Sequence, residues 1–382
     1  MQISDVAQRL DAQLVRIIYE LAKQYDDVMD LTLGDPDIAT PSHVSMAGIR
    51  AITEGKTKYT ANAGIPALRQ AICRDVAKRT GVSYTADEVC VTAGAMGALF
   101  LGTMSILNEG DEMIILEPHW PNYSGMVKMC HAVPVFVNAL DESTLLGDIE
   151  SAISARTRAI IINSPSNPTG RVLSEQTLEG IARLAKAHDL YVFSDEVYHT
   201  IIFGGTYRSI VSYEGMKERC ILVDSLSKRF SMTGWRLGFA CAPKAVAEKM
   251  ALLQEHVNSC ACMFAQCAGM EALNAGPEAE NQIKQVFYER CKALSGELNR
   301  CEALSCPMPD GTFYLWMDIR KTGLGSEEFA IRLLKQEHVA TVPGNAFNKA
   351  GEGYIRIACT QDTSVLLRAA EKIVRFAEGL PH

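Results

Sequence analysis

The stretch CILVDSLSKRFSMTGWRLGFA, residues 220–240, joins an apolar segment to a loop rich in polar and charged side chains. Its first four residues are apolar, as expected of a short strand that is buried on both faces of a sheet. The loop that follows contains hydroxyls, Lys228 and Arg236, which a structural turn does not require. Ligands of open parallel sheets bind beyond the carboxyl ends of the strands. We therefore expect Lys228 and Arg236 to belong to a functional site at the edge of a sheet.

The rest of the chain supports a sheet of this kind. Apolar strand-like runs alternate with helix-like segments, which is typical of a mostly parallel sheet covered by helices on both faces. The runs lie at 88–94, 111–120, 158–170, 190–198, 220–228 and 236–243. Beyond these, helices near 278–300, 326–336 and 362–378 alternate with short strands, which indicates an α+β unit. We predict an α/β protein with an N-terminal arm (1–45), a large domain (46–278) and a small C-terminal α+β domain (279–382).

Composition limits the class of protein. The 382 residues carry a net charge of −8 and lack a cluster of basic residues, which disfavours a nucleic-acid surface. No apolar run reaches the length of about 18 residues that a membrane helix needs. The first 24 residues read as an amphipathic helix and not as a signal peptide. The twelve cysteines are scattered and predict reduced thiols in a cytoplasmic protein, with no metal site.

The predicted strands end in residues that could form one site. Each carboxyl end is followed by a glycine, an aromatic residue or a polar side chain, and these ends meet at one edge of a parallel sheet. The residues are Gly94, Trp120, Asn163, Asn167, Asp195, Tyr198, Ser225 and Lys228. Any one of them could be ordinary loop chemistry, but their recurrence at five strand ends indicates a common site.

The chemistry of these residues points to a particular cofactor. A desolvated Lys228 is a nucleophile toward carbonyls, and a buried Asp195 is a suitable partner for a protonated ring nitrogen. The turn at 94–97 can cradle a phosphate at a helix N-terminus, with help from Ser225 and Arg236. Together with an aromatic side chain that can stack on a ring, these groups describe a pyridoxal 5′-phosphate site. The structural alternatives are a surface lysine, a buried salt bridge and an ordinary tight turn.

Two other enzyme classes fit the sequence poorly. No G-x-S-x-G segment is present, so the nucleophile turn of an α/β-hydrolase is missing. No G-x-G-x-x-G follows a predicted strand, which disfavours a nicotinamide site.

The segment SLSKRFSMTGWRLGF resembles the lysine motif of class I aminotransferases, which are fold-type I pyridoxal-phosphate enzymes. The resemblance extends over about residues 15–375 and is greatest to the bacterial and archaeal aspartate/aromatic subgroup. It implies a mostly parallel sheet of the seven-stranded type. The other matching stretches are LTLGDPDIATP (31–41), KYTANAGIPALRQAI (58–72), VTAGAMGAL (91–99), PHWPNY (118–123), INSPSNPTGRV (162–172), SDEVY (194–198) and YIRIACT (354–360).

The resemblance also implies a role for individual residues. Lys228 would form the Schiff base and move the substrate proton, Asp195 would hold the ring nitrogen, and Trp120 would stack on the ring. The phenolic oxygen of the cofactor would be held by Tyr198 and Asn167. The phosphate would be surrounded by Gly94, Ala95, Met96, Ser225 and Arg236. The substrate carboxylate would be held by Arg356, Asn167 and the backbone of Gly34. Tyr59 would reach the phosphate of a neighbouring subunit, which implies a homodimer.

The substrate is less well defined by the sequence. Met96 stands where members of the subgroup that act on dicarboxylates often have a lysine. Relatives in another subgroup use an arginine of the neighbouring subunit near the stretch HVNSCACMF (256–264), which here has neither arginine nor lysine. Met96, with Val15 or Ile17 from an N-terminal lid, would form an apolar, adaptable pocket. This favours neutral, sulfur-containing or aromatic amino acids over aspartate. The shared 2-oxo acid would be 2-oxoglutarate, held by hydrogen bonds or by a mobile arginine, for which Arg16 is a candidate.

Three functions remain open at this stage. The first is an aminotransferase with a ping-pong cycle. The second is a related fold-type I enzyme, such as a C–S β-lyase or a relative of aminocyclopropane-carboxylate synthase, which would have the same lysine, aspartate and arginine. The third is a non-catalytic regulator that binds the cofactor.

Overall fold

The structure is a computed structural model that describes residues 2–8, 10 and 14–380. The strands are β1 (Met29–Asp30), β2 (Val89–Ala93), β3 (Glu112–Glu117), β4 (Val133–Asn138), β5 (Thr157–Asn163), β6 (Tyr191–Asp195), β7 (Cys220–Ser225), β8 (Leu237–Cys241), β9 (Tyr314–Asp318), β10 (Val339–Ala340), β11 (Val342–Pro343) and β12 (Tyr354–Ala358). The helices are α1 (Asp5–Gln8), α2 (Leu14–Ala22), α3 (Ser42–Thr53), α4 (Pro66–Thr80), α5 (Gly94–Ile106), α6 (Asn122–Met129), α7 (Glu142–Ala152), α8 (Glu175–Ala187), α9 (Leu226–Arg229), α10 (Lys244–Val257), α11 (Met263–Asn274), α12 (Glu278–Leu298), α13 (Ser326–Glu337) and α14 (Thr363–Glu378).

The described residues form a seven-stranded central sheet in the order β2-β8-β7-β6-β5-β3-β4. β8 runs antiparallel to both of its neighbours, and the other strand pairs of the sheet are parallel. Two core clusters include side chains of the sheet. Buried side chains of α5, α6 and α10 belong to one of them, and those of α4, α7, α8 and α11 belong to the other. The predicted α/β fold with a mostly parallel sheet is confirmed.

The central strands are buried because nearly all of their side chains are apolar. Every residue of β7 is buried, and β8 shows the same pattern. The edge strand β4 differs, since Val133 and Phe136 are 42% and 40% exposed and Pro134 interrupts the hydrogen-bond donors. The sequence analysis did not identify this strand. The run VPVFV is apolar, but it contains Pro134, which argues against a central strand.

The C-terminal part contains an antiparallel sheet in the order β11-β12-β9. Its core includes buried side chains of α12, α13 and α14. The N-terminal segment joins this part, because β1 pairs in parallel with β10. This pairing agrees with an arm that packs on the C-terminal unit, while the domain boundaries at 45 and 278 stay predictions.

Three further observations concern membrane helices, the cysteines and the N-terminus. No helix among the described residues is long and apolar enough to cross a membrane. All twelve cysteines are free thiols. The predicted amphipathic N-terminal helix corresponds to α1 and α2, and residues 9 and 11–13 between them lie outside the described part of the chain.

Candidate active site

A cavity of about 540 Å³ lies at the carboxyl ends of β5, β6 and β7. The predicted site residues that line it are Gly34, Ala95, Met96, Trp120, Asn167, Asp195, Tyr198, Ser225, Lys228, Arg236 and Arg356. Gly94 lies directly behind this lining, since a Cβ atom at its position would be 2.7 Å from the guanidinium of Arg236. Tyr59 is outside the cavity and 87% exposed. The strand ends are therefore brought together as expected, with Tyr59 apart from them.

Lys228 lies in the short helix α9, directly after β7. Its Nζ donates a hydrogen bond of 2.5 Å to the carbonyl oxygen of Gly34. Burial lowers the pKa of Lys228 to about 8; the carboxylate of Asp35 opposes this shift, and the guanidinium groups of Arg236 and Arg356 reinforce it. A substantial neutral fraction of the amine near physiological pH is what a nucleophilic lysine requires.

Asp195 ends β6 and is 3% exposed. Burial raises its pKa to about 6, and hydrogen bonds from the Tyr123 hydroxyl (2.6 Å) and the Val197 amide (3.3 Å) work against this rise. The described residues provide no cationic side chain in ion-pair contact with this carboxylate. A buried carboxylate that lines a cavity without a cationic partner suits a ligand that brings its own positive charge.

Arg356 lies in the middle of β12 and is 3% exposed. It donates to the Oδ1 atom of Asn167 at 3.0 Å and to the carbonyl oxygen of Thr32. Its guanidinium stacks on the rings of Tyr314 and Phe347, at 4.4 Å and 4.8 Å from the ring centroids. Within the described residues its Nε has no hydrogen-bond partner, and burial lowers its pKa. This charged fork has the geometry that a bound carboxylate needs.

Another part of the cavity wall is suited to a phosphate. Helix α5 starts at Gly94, which has a φ of 70°, and its first turn brings Ala95 and Met96 to the cavity. A Cβ atom at Gly238 would be 2.4 Å from the carbonyl carbon of Gly94. Only glycine at position 238 therefore allows β8 to pack this closely against the start of α5. Ser225 adds a hydroxyl that accepts a 3.0 Å hydrogen bond from the Ser227 amide. A helix N-terminus combined with a hydroxyl and a guanidinium can bind a phosphate group.

Sequence reasoning assigned no role to several residues that line the cavity. The most important is Tyr123, whose hydroxyl contacts Asp195. Tyr314 was also missed; its hydroxyl lies 3.3 Å from that of Tyr198, whose pKa is raised well above 10 by burial. Tyr123 lies in the quoted segment PHWPNY and Tyr314 lies in β9, and in each place a tyrosine is as easily interpreted as an ordinary core aromatic.

The segment proposed as a lid is only partly next to the cavity. Val15 lines it, whereas Ile17 is 43% exposed and does not. Arg16 also lies outside the lining, and its guanidinium forms a 2.5 Å ion pair with Glu20. This arrangement does not bring Arg16 to the substrate.

The residues present fit pyridoxal phosphate on geometric grounds. The cavity combines a carboxylate without a cation, an arginine with an unsatisfied donor, and a lysine of lowered pKa. These match a protonated ring nitrogen, a substrate carboxylate and a carbonyl carbon, respectively.

Comparison with known proteins identifies the family. Residues 26–373 match the family model described as aminotransferase class I and II. The chain belongs to this family. An aspartate aminotransferase of Pyrococcus horikoshii is 37% identical over 373 residues, which cover 96% of this chain and 94% of the relative. The chain is thus an aminotransferase, a transferase of nitrogenous groups, of the aspartate/aromatic subgroup.

Solved structures agree with this assignment. The aromatic aminotransferase from Pyrococcus horikoshii OT3 has a TM-score of 0.89 and 37% identity, covering 95% of this chain and 98% of that chain. The aspartate aminotransferase from Thermus thermophilus with maleate has a TM-score of 0.93 and 35% identity, covering 98% of this chain and 99% of that chain. The resemblance noted from the sequence is confirmed, and class I aminotransferases use pyridoxal phosphate.

The contact between Tyr123 and Asp195 leads to a testable expectation. If Asp195 holds the protonated ring nitrogen of the cofactor, binding requires its ionised carboxylate, and affinity for pyridoxal phosphate should fall as the pH drops through about 6. Tyr123→Phe removes a hydrogen bond that lowers this pKa, so the fall in affinity should begin at a higher pH. The loss of affinity at neutral pH should be about tenfold, as for hydrogen bonds to charged groups. The measurement is the cofactor dissociation constant across pH.

The matched control is Tyr213→Phe, which removes a hydroxyl that donates to the backbone carbonyl of Glu175 outside the cavity. This variant should bind the cofactor as the wild type does. An unshifted pH dependence in Tyr123→Phe would show that the hydroxyl does not control the charge of Asp195.

Proposed function

We propose that this aminotransferase moves an amino group between an L-amino acid and a 2-oxo acid such as 2-oxoglutarate, by a ping-pong cycle with pyridoxal 5′-phosphate. The observation that carries the proposal is the presence in one cavity of a buried lysine of lowered pKa, a carboxylate without a cation and an arginine with an unsatisfied donor.

The cofactor would be held by residues that line or flank the cavity. Asp195 would accept a hydrogen bond from the protonated ring nitrogen, Trp120 would pack on the ring, and Tyr198 and Asn167 would hold the phenolic oxygen. The phosphate would be held by Gly94, Ala95, Met96, Ser225 and Arg236. When bound, the cofactor supplies a carbonyl for amine attachment and an electron sink for the bonds at the substrate Cα.

The protein contributes proton transfer and orientation. Lys228 would be the Schiff-base lysine, and its Nζ would accept the proton that leaves the substrate Cα, because its lowered pKa keeps part of the amine neutral. Arg356 would bind the substrate carboxylate with Asn167 and the backbone of Gly34. Asn167 accepts a hydrogen bond from Arg356 through its side chain, and its backbone N–H donates to Asn163 Oδ1 at 2.8 Å. Both contacts support this role.

We further propose a preference for neutral, sulfur-containing or aromatic amino acids over aspartate. Within the described part of the chain, the cations that line the cavity are Lys228, Arg236 and Arg356, and each has another role in the proposal. The cavity lining also includes apolar side chains such as Met96 and Val15. The relatives named above include both aspartate and aromatic aminotransferases, so this preference depends on the lining alone.

A homodimer is also proposed. The outer surface of α3 exposes Met46, Ile49 and Ile52 at 55%, 51% and 48%, and Tyr59 follows this helix in the chain. Tyr59 would then reach the phosphate of the partner subunit. A cytoplasmic location, which suits free thiols, remains part of the proposal.

The experiment is a half-reaction followed by absorbance. Purified protein with pyridoxal phosphate is mixed with one amino acid at a time, without an oxo acid, and 2-oxoglutarate is then added. We expect the visible band of the bound cofactor to be consumed by the amino acid and restored by 2-oxoglutarate, as in a ping-pong cycle. The values of kcat/KM rank the substrates.

Two results would contradict parts of this proposal. Accumulation of ammonia and pyruvate from cystathionine, without recovery of the band, would indicate β-lyase chemistry. A higher kcat/KM for aspartate than for aromatic or sulfur-containing amino acids would overturn the proposed preference and leave the transamination intact.

A further inference from the structure

A network of buried charges adjoins the cavity without lining it. Three residues proposed to hold the cofactor each stand next in the chain to a buried charged residue that does not line the cavity. The pairs are Asp195–Glu196, Asp224–Ser225 and Lys228–Arg229. In each pair, one residue lines the cavity and its neighbour in the chain belongs to the buried charge network.

Glu196 is fully buried, with 0% exposure, as is Asp224. Its carboxylate accepts hydrogen bonds from Arg79, from Ser194 Oγ at 2.8 Å and from Ser209 Oγ. Arg79 comes from the last turn of α4, and its guanidinium also lies 3.5 Å from Asp224 Oδ2. One arginine therefore joins the ends of the adjacent strands β6 and β7.

Arg229 extends the network to two helices. It forms a two-pronged ion pair with Asp75 of α4, with both N–O distances at 2.9 Å. It also donates to Glu280 of α12 at 3.0 Å and 2.7 Å, and it lies 3.6 Å from Asp224. The residue next to Lys228 is thus held by carboxylates from two helices.

Such a network is a poor source of stability by itself. Desolvation of buried ions offsets much of their mutual attraction, so well-packed apolar residues would often serve as well. The buried charges stand next to three residues that line the cavity, and orientation of those residues explains this position better. Fixed partners hold a side chain and its backbone in one geometry.

We propose that Arg79 is a positioning residue for the active site, which acts through Glu196 and Asp224 to fix the strand ends that carry Asp195 and Ser225. The inference rests on the proposed function, because the geometry it fixes is that of the cofactor site. Arg79 itself does not line the cavity.

The test is a double-mutant cycle of Arg79→Met, Glu196→Gln and the combined variant. The readouts are the dissociation constant of pyridoxal phosphate and the half-reaction rate constant at saturating cofactor. We expect each single change to weaken cofactor binding and to lower the rate constant by about 10- to 100-fold, as when the groups that orient a ligand are lost. The combined variant should lose less than the sum of the two single losses, because both changes remove the contact between Arg79 and Glu196. It should resemble Arg79→Met, which also removes the contact with Asp224.

A second readout separates positioning from general loosening. Arg356 lies on β12, outside this network, so the KM for the amino acid should stay within about twofold while the rate constant falls. Glu196→Gln has nearly the shape of the natural residue and keeps an acceptor for both serines, so it should fold even if Arg79→Met does not.

The control is Glu112→Gln. Glu112 is also a covered carboxylate of the central sheet, 5% exposed and 2.5 Å from Arg156, but it lies at the amino end of β3. It should change cofactor affinity little. If Glu196→Gln lowers only the melting temperature and leaves cofactor binding and the rate constant unchanged, the positioning role is wrong. If the wild type itself does not bind pyridoxal phosphate, the proposed function fails first.

Discussion

Lys228→Ala should abolish turnover, with kcat reduced by about 10⁴-fold, since in the proposed function Lys228 is both the amine that binds the cofactor and the group that moves the proton. The Nζ atom lies in the cavity with Asp195 and Arg356, and its lowered pKa suits both tasks. The measurement is single-turnover conversion of the fastest amino acid by enzyme saturated with cofactor. The visible band of the bound cofactor should also change, because the amine that holds it is absent.

The same variant should not be less stable than the wild type as apoenzyme. In the folded state the pKa of Lys228 is about 8, below its ordinary value of 10.5. Between these values the unfolded chain binds more protons than the folded one, so the stability of the wild type should rise as the pH rises through this window. Lys228→Ala lacks the group and should lack the rise, which thermal melts at a series of pH values can detect.

Lys244→Ala provides the control for Lys228→Ala. Lys244 begins α10, and its side chain is 60% exposed and away from the cavity. It should keep full turnover. If Lys228→Ala keeps more than about 1% of the wild-type turnover, the loss is far smaller than the expected 10⁴-fold. Another group would then move the proton.

Arg356→Met should lower kcat/KM by about 10²- to 10³-fold, the range expected when one partner of a buried charge pair is removed. Most of the loss should lie in KM, because the substrate carboxylate is present before and during the reaction and loses its partner in both states. Steady-state kinetics with the preferred amino acid, at saturating 2-oxo acid, measures the two parameters separately.

Arg356→Lys distinguishes charge from shape. A lysine keeps the positive charge but not the planar fork that bonds Asn167 and Thr32, so it should recover only part of the loss. Arg320→Lys is the matched control, since Arg320 pairs with Asp318 at the end of β9 and its side chain is 64% exposed. An unchanged KM in Arg356→Met would mean that the substrate carboxylate binds elsewhere.

The sequence was most informative where burial is complete. β5, β6 and β7 were predicted because each is a continuous apolar run, and Asn163, Asp195 and Ser225 stand out as polar residues at the ends of such runs. The edge strand β4 was missed although VPVFV is apolar, because Pro134 lacks the N–H donor that a central strand uses. The domain boundaries and the preferred substrate remain predictions.

The sequence by itself therefore determined the α/β class, the site at the strand ends and the lysine, aspartate and arginine that it contains, because these depend on local pattern and on motif. Only the tertiary structure decided which distant side chains support them. Tyr123 meets Asp195 across 72 positions, and Arg79 meets Glu196 across 117. A tyrosine or an arginine on a helix has no local sign of such a partner, because the contact exists only after the helices pack on the sheet.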